Sequence, residues 1–153
     1  MVLGLGNLVM TDDSAGLVAL DLLKKTRTLP GDIEVMDGGT LGLDLLAYME
    51  GYENILIVDC VMRGKKPGEV IRVEAEEIET VFAKCLSPHQ MGLKDLIAVL
   101  RLQERMPARM TVVGIEGVTI GLGTEVTPLV AQSIAPAVDL MVQILAEWGH
   151  EIH

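Results

Sequence analysis

Four aspartates and one histidine stand where their types and spacing could do chemistry: Asp12 and Asp13, Asp37, Asp59 and His89. Each aspartate site follows a short strand-like run, at 2–5, 33–36 and 55–58, of which 2–5 and 55–58 are apolar throughout and read as buried strands. In sheets built from strands of this kind, ligands gather beyond the carboxyl ends, which is where these carboxylates fall. Carboxylates brought together disfavour joint ionisation unless a cation or strong donors compensate. A divalent ion would satisfy them. With Thr11 as a cap, Asp13 lies in the first turn of a helix, where the macrodipole favours an anion. His89 has the equivalent place on a helix begun by Ser87, and there the dipole favours the neutral imidazole, a metal ligand near pH 7. Two carboxylates and one neutral imidazole make a borderline site with open positions, suited to nickel, zinc, manganese or iron rather than calcium.

Each of these residues also has a structural reading. Asp12 and Asp13 can cap a helix, Asp37 before Gly38-Gly39 can make an Asx turn, and His89 can belong to a capping turn. Asp59 is harder to read this way, because so apolar a strand should not end in an ionised group without a partner. His150 and His153 are expected to be incidental at a frayed terminus. Cys60 and Cys85 read as separate thiols; Cys85 stands four residues before His89 but completes no zinc spacing. Gly4-x-Gly6 begins a dinucleotide fingerprint, but Val9 holds the third glycine's place and Asp12-Asp13 put negative charge where a pyrophosphate would sit. No phosphate-binding G-x-x-x-x-G-K-[ST] loop, H-E-x-x-H helix or G-x-S-x-G elbow is present.

The elements that must position these residues alternate along the chain. A strand over 2–5 leads to a helix through Leu17, Leu20 and Leu23 with Lys24, Lys25 and Arg27 in its last turn. A strand over 33–36 leads to a helix through Leu41, Leu45 and Met49, capped by Thr40. The run 55–58, closed by Asp59, is a strand covered on both faces. Residues 69–73 alternate as a further strand, at an edge or antiparallel, and 75–85 suggest a short helix. Ser87-Pro88-His89-Gln90 has the form of a helix start, with a periodic run to Leu102 behind it. A buried strand over 110–115 and a Gly-rich segment, 117–123, precede an amphipathic helix through Val130, Ile134, Val138, Met141 and Leu145, with Pro136 inside it. The fold class expected is α/β: one three-layer domain over 1–153, a mostly parallel twisted sheet of about five strands with helices on both faces.

A chain of 153 residues fits one domain. Half of the residues are apolar but only Tyr48, Tyr52, Phe82 and Trp148 are aromatic, so the core must be aliphatic. That composition excludes intrinsic disorder. A net charge of −10 repels phosphate backbones and anionic lipid, which makes nucleic acid an unexpected partner. No run of 18 residues escapes charge or proline, and no basic n-region opens the chain, so neither a membrane span nor a signal peptide is expected and the protein reads as cytoplasmic.

Five blocks in order carry a resemblance. They are Gly4-Leu5-Gly6-Asn7 with Thr11-Asp12-Asp13-Ser14-Ala15-Gly16, then Asp37-Gly38-Gly39-Thr40, Ile57-Val58-Asp59, Ser87-Pro88-His89-Gln90-Met91-Gly92-Leu93, and Val112-Val113-Gly114-Ile115-Glu116. Together they resemble the hydrogenase maturation endopeptidases, which remove a C-terminal extension from the large subunit of nickel-iron hydrogenases. The resemblance covers nearly the whole chain and implies that Asp13, Asp59 and His89 bind metal, three of the five residues singled out above. Many members have Glu where this chain has Asp13, and 117–123 departs from the commoner proline-containing version. The resemblance further implies that the nickel belongs to the substrate: the expected partner is the nickel-loaded large-subunit precursor, cut only after metal insertion. A monomer is expected. Zinc or cadmium would fit the same donors. Asp37 is a candidate general base. A non-catalytic nickel-recognition chaperone for the same precursor, and more remotely a dinucleotide-binding domain, are the alternatives.

Overall fold

The apolar runs form the strands of one sheet in a computed structural model, which describes residues 1–83 and 88–153 and the side chains of all of these except 88–92. The strands are β1 (Val2–Leu5), β2 (Val35–Gly39), β3 (Asn54–Val61), β4 (Val70–Glu74) and β5 (Arg109–Glu116). Their order is β2-β1-β3-β5-β4. All neighbours are parallel except β4 and β5, so β4 is both an edge strand and the antiparallel one. The expected mostly parallel, three-layer α/β domain is the one found.

Both faces of the sheet are covered, which is why β3 is buried at every position after Asn54. On one face α1 (Ala15–Thr26) and α5 (Pro128–Glu147) pack Leu20, Leu23, Met141 and Ile144 against Leu56, Val58 and Cys60. On the other, α2 (Leu45–Met49), α3 (Ile78–Val81) and α4 (Pro88–Leu102) bring Leu45, Ile78, Leu96 and Ile97 onto Ile55, Ile57 and Val61. Phe82 fills this second layer as the one fully buried aromatic among the described residues. By length and composition α5 alone among the described helices is apolar enough to cross a membrane, contrary to the sequence reading. In the fold its stripe of Val130, Ile134, Val138, Met141 and Leu145 lies in the core, so its apolarity serves packing.

Several boundaries differ from those read in the sequence. β3 does not stop at Val58 but continues through Asp59 to Val61, because β5 is equally long and pairs Asp59 with Gly114, Cys60 with Ile115 and Val61 with Glu116. β2 lies at 35–39 rather than 33–36, so Asp37 is inside the strand and paired with Gly4. Neither Asp12 nor Asp13 caps a helix: both lie in a 3-10 turn, Thr11–Ser14, whose continuation is α1. Thr40 does not cap either, as a 3-10 turn at Gly42–Asp44 leads into α2. The terminus is not frayed, since the backbones of Thr28 and His153 exchange two hydrogen bonds.

Candidate functional site

From β1 the chain passes to β2 on one side, while β3 lies on the other, so the gap beyond the carboxyl ends of β1 and β3 is the topological switch point of the sheet. The β1–β3 register ends at Gly4 with Val58. Asp59 is therefore the first residue of β3 beyond that register, bordered by β5 alone. Alternation with Ile57 and Val61 turns its side chain to the face covered by α4. It is 1% exposed, and neither carboxylate oxygen has a hydrogen-bond partner among the described residues. Burial holds its carboxyl well above the usual carboxylate range, and the charge of Asp13 pushes it further in the same direction. The Cys60 backbone amide opposes this, without either oxygen reaching hydrogen-bond geometry.

Two glycines bring Asp13 to that place. Gly6 has φ +140°, and a Cβ there would fall 2.1 Å from the Asp13 carbonyl oxygen. A Cβ on Gly16 would meet the carbonyl oxygens of Leu5 and Val58 at 2.5 Å and the Asp59 Cα at 2.9 Å. The start of α1 thus lies directly on the ends of β1 and β3, with the buried Asp13 just ahead of it. Close backbone packing accounts for these glycines with no nucleotide.

Asp12, equally buried, does something different. Its Oδ1 accepts from Thr127 N at 2.7 Å, and its Oδ2 accepts from Val118 N at 2.8 Å, Thr119 N at 3.2 Å and Thr127 Oγ1 at 3.0 Å. This carboxylate is surrounded by donors and holds both ends of the segment between β5 and α5. Thr11, at φ 43°, adds to the tie by donating from Oγ1 to Thr119 O and accepting from Gly121 N.

Asp37 does not join the pair. Its partner in register, Gly4, packs on Leu17 and Leu20 of α1, so Asp37 lies on the sheet face opposite Asp59. It is exposed and accepts from Gly39 N at 2.9 Å, the Asx-turn geometry. His89 lies in the first turn of α4. Because α4 precedes β5, its N-terminus is at the carboxyl end of the sheet, on the face toward which Asp59 turns. Its side chain is outside the described residues, as is Cys85. Among the described residues no group of three His, Cys, Asp or Glu side chains is arranged around one ion. Cys60 is buried in the α1–α5 layer, and burial first, then Asp59, pushes its thiol far up, which makes it an unreactive core residue. His150 pairs with Asp32 at 3.6 Å, away from this end of the sheet.

Sequence reasoning missed Glu116. It ends β5 as a 1% exposed carboxylate that accepts from Arg63 N, Lys65 N and Arg63 Nε. It holds the turn between β3 and β4 closed. The signal was present, since it too is an acid ending an apolar strand, but its partners are 51 and 53 residues away.

A family model described as hydrogenase maturation protease matches residues 18–144. The chain belongs to the hydrogenase maturation protease family. It is 34% identical to the hydrogenase 2 maturation protease of Escherichia coli, over 99% of this chain and 93% of that protein. It is 33% identical to the hydrogenase expression/formation protein HupD of Bradyrhizobium diazoefficiens, over 97% and 79%. Among solved structures it superposes on the maturating endopeptidase HybD from E. coli with a TM-score of 0.92 and 33% identity, covering 99% and 94% of the two chains. The Thermococcus kodakarensis [NiFe] hydrogenase maturation protease HybD follows at 0.76 and 33%, covering 94% of this chain and 96% of that one. That relatives of this family are named as proteases and endopeptidases supports a peptide hydrolase.

Proposed function

We propose that this protein is a cytoplasmic, monomeric endopeptidase that removes the C-terminal extension of a nickel-iron hydrogenase large-subunit precursor once nickel has been inserted. It recognises the substrate-borne metal through Asp13, Asp59 and His89. The observation that carries this reading is Asp59: a fully buried carboxylate with no hydrogen-bond donor among the described residues, beside a second buried carboxylate at the switch point. Ionising a carboxylate as buried as Asp59 is costly unless a cation arrives, and a metal already held by the precursor supplies one.

Three ligands with no thiolate among them hold a free ion loosely and leave coordination positions for the precursor's own groups. The bridge orients the precursor, and its scissile peptide bond is hydrolysed by one water, releasing the extension. Nickel then acts as a checkpoint, because without it the carboxylates repel each other and nothing fixes the precursor. Asp37 lies on the wrong face to share this work, and in this reading it shapes the turn after β2.

The test compares nickel-loaded and nickel-free precursor incubated with this protein and resolved by size. Only the loaded form should shorten. Equal cutting of the metal-free form would remove the checkpoint, and binding of the loaded form without any cutting would make the protein a chaperone.

A further inference from the structure

The sheet has two edges, β4 and β2, and the chain treats them differently. β4 is preceded by Pro67 and carries Arg72, bonded to Glu74 and Glu147, and proline and charge of this kind keep a further strand away. β2 has no proline, lysine or arginine. Its inner side is spent on β1: Glu34 O accepts from Val2 N at 2.7 Å, and the register of Val2 with Val35 and of Gly4 with Asp37 gives the following bonds to Met36. Alternation then turns the backbone N–H and C=O of Val35 and Asp37 outward, where none of the four has a partner among the described residues. The irregularity at Gly38, which the register skips, comes only after them. Donors and acceptors in this order fit another extended chain.

The open edge leads to the switch point. β2 is parallel to β1, so their carboxyl ends lie together, and there Asn7, Leu8, Asp37 and Thr40 line a surface cavity of about 300 Å³ between the β1–α1 connection and the end of β2. β1 alone separates β2 from β3, which carries Asp59. A chain added outside β2 would therefore lie three strand spacings, about 14 Å, from β3, a distance that about four extended residues cover.

Charge decides against a second copy as the added strand. Asp32, Glu34 and Asp37 are all exposed, and the stretch 28–62 has no Lys or Arg. Two β2 edges brought together would gather the acids of both copies along one short seam with no basic residue on either strand. The basic residues that close α1, Lys24, Lys25 and Arg27, lie toward the amino end of the sheet, and two of them are paired, with Asp21 and Asp139. A strand of neutral or basic side chains fits.

We infer that the C-terminal extension of the precursor binds by adding a strand to β2, antiparallel to it. The chain leaves the metal at the switch point, crosses the cavity beside Asp37 and runs down the open edge. The direction follows from the reaction, since the extension lies on the carboxyl side of the cut and the cut is made at the carboxyl end of the sheet. The inference rests on the proposed peptidase reading and adds to it how the leaving segment is held, through its backbone.

The experiment measures kcat and KM for processing of nickel-loaded precursor with proline placed at successive positions of the extension. Prolines that remove an N–H turned toward β2 should raise KM about tenfold or more with kcat unchanged, and those between should not, so the effect recurs at every second residue from about four residues after the cut. On the enzyme, Val35→Pro removes one outward N–H at an edge, where proline is tolerated, and should raise KM to a similar extent, while Val35→Ala keeps the N–H and should keep the wild-type KM. Hydrogen exchange at the Val35 and Asp37 amides should slow when the precursor binds. Unchanged KM across the proline scan with unchanged exchange at 35 and 37 would overturn the strand addition and leave the peptidase intact, whether or not Val35→Pro folds. A wild type that neither binds nor cuts the precursor would instead overturn both. Protection of these two amides that grows with enzyme concentration in the absence of precursor would make a second copy the occupant, and the inference would be wrong.

Discussion

Asp12, Asp13 and Asp59 are the same residue type within one small volume, and what each does depends on which donors surround it. Asp12 faces donors only, so an amide in its place would point N–H at N–H. Asp12→Asn is expected to destabilise the protein by about 2 kcal/mol in urea unfolding, loosening the 117–127 segment. Asp59 is the opposite case. Its folded-state pKa is raised, so its contribution to stability is complete below the ordinary carboxylate range and is lost as pH rises toward the raised value. Metal-free protein should therefore lose stability relative to Asp59→Asn as pH rises above about 4, at no more than about 1.4 kcal/mol per pH unit, the limit for one proton. Paired unfolding curves from pH 4 to 8 would show it. A difference of the opposite sign would mean that Asp59 is satisfied as an anion. The same variant should process no nickel-loaded precursor, so that stability and activity move in opposite directions.

At the scale of elements, the site depends on the difference in length between β1 and β3 and on how closely α1 approaches them. β1 ends at Leu5 while β3 runs on to Val61, which leaves Asp59 bordered on one side only. Gly16 is the contact that sets the height of α1 over these ends. A methyl group there meets backbone on both strands, and backbone cannot swing aside as a side chain can. Gly16→Ala is expected to cost about 1–3 kcal/mol and to lower processing more than the stability loss explains, by moving the 11–14 turn away from Asp59. Melting temperature and processing rate measured on the same preparation would separate the two effects. The β3–β4 turn is fixed by Glu116 in the manner in which Asp12 fixes 117–127, so two buried carboxylates hold the two connections that meet at the carboxyl end of β5.

At the scale of the molecule, two aliphatic layers share one sheet, and β3 contributes alternate residues to both: Leu56, Val58 and Cys60 to one, Ile55, Ile57 and Val61 to the other. Neither layer can come apart without exposing the other's strands. Unfolding followed by circular dichroism and by Trp148 fluorescence is therefore expected to give one coincident transition, with the single tryptophan beside α5 reporting the same midpoint as the backbone. Separate midpoints would mean that the α1–α5 layer melts alone. A charge of −10 on so small a chain also makes association with a basic partner sensitive to ionic strength.

The alternation of apolar runs with helical periods was enough to read an α/β sheet, and β4 was legible as an edge or antiparallel strand because its residues alternate where those of β3 do not. Asp59 was legible for the same reason: an acid directly after four buried aliphatic residues has to be accounted for. Element ends were less legible, since β3 extends only as far as β5 offers it a partner and β2 takes in Asp37-Gly38-Gly39 only because β1 pairs with them, and pairing partners are distant in the chain. The two carboxylates beside each other in sequence could not be told apart there. Local order gives Asp12 and Asp13 the same neighbours, and only folding, by bringing the amides of 118, 119 and 127 onto one and Asp59 near the other, made the first a brace and left the second beside another buried carboxylate.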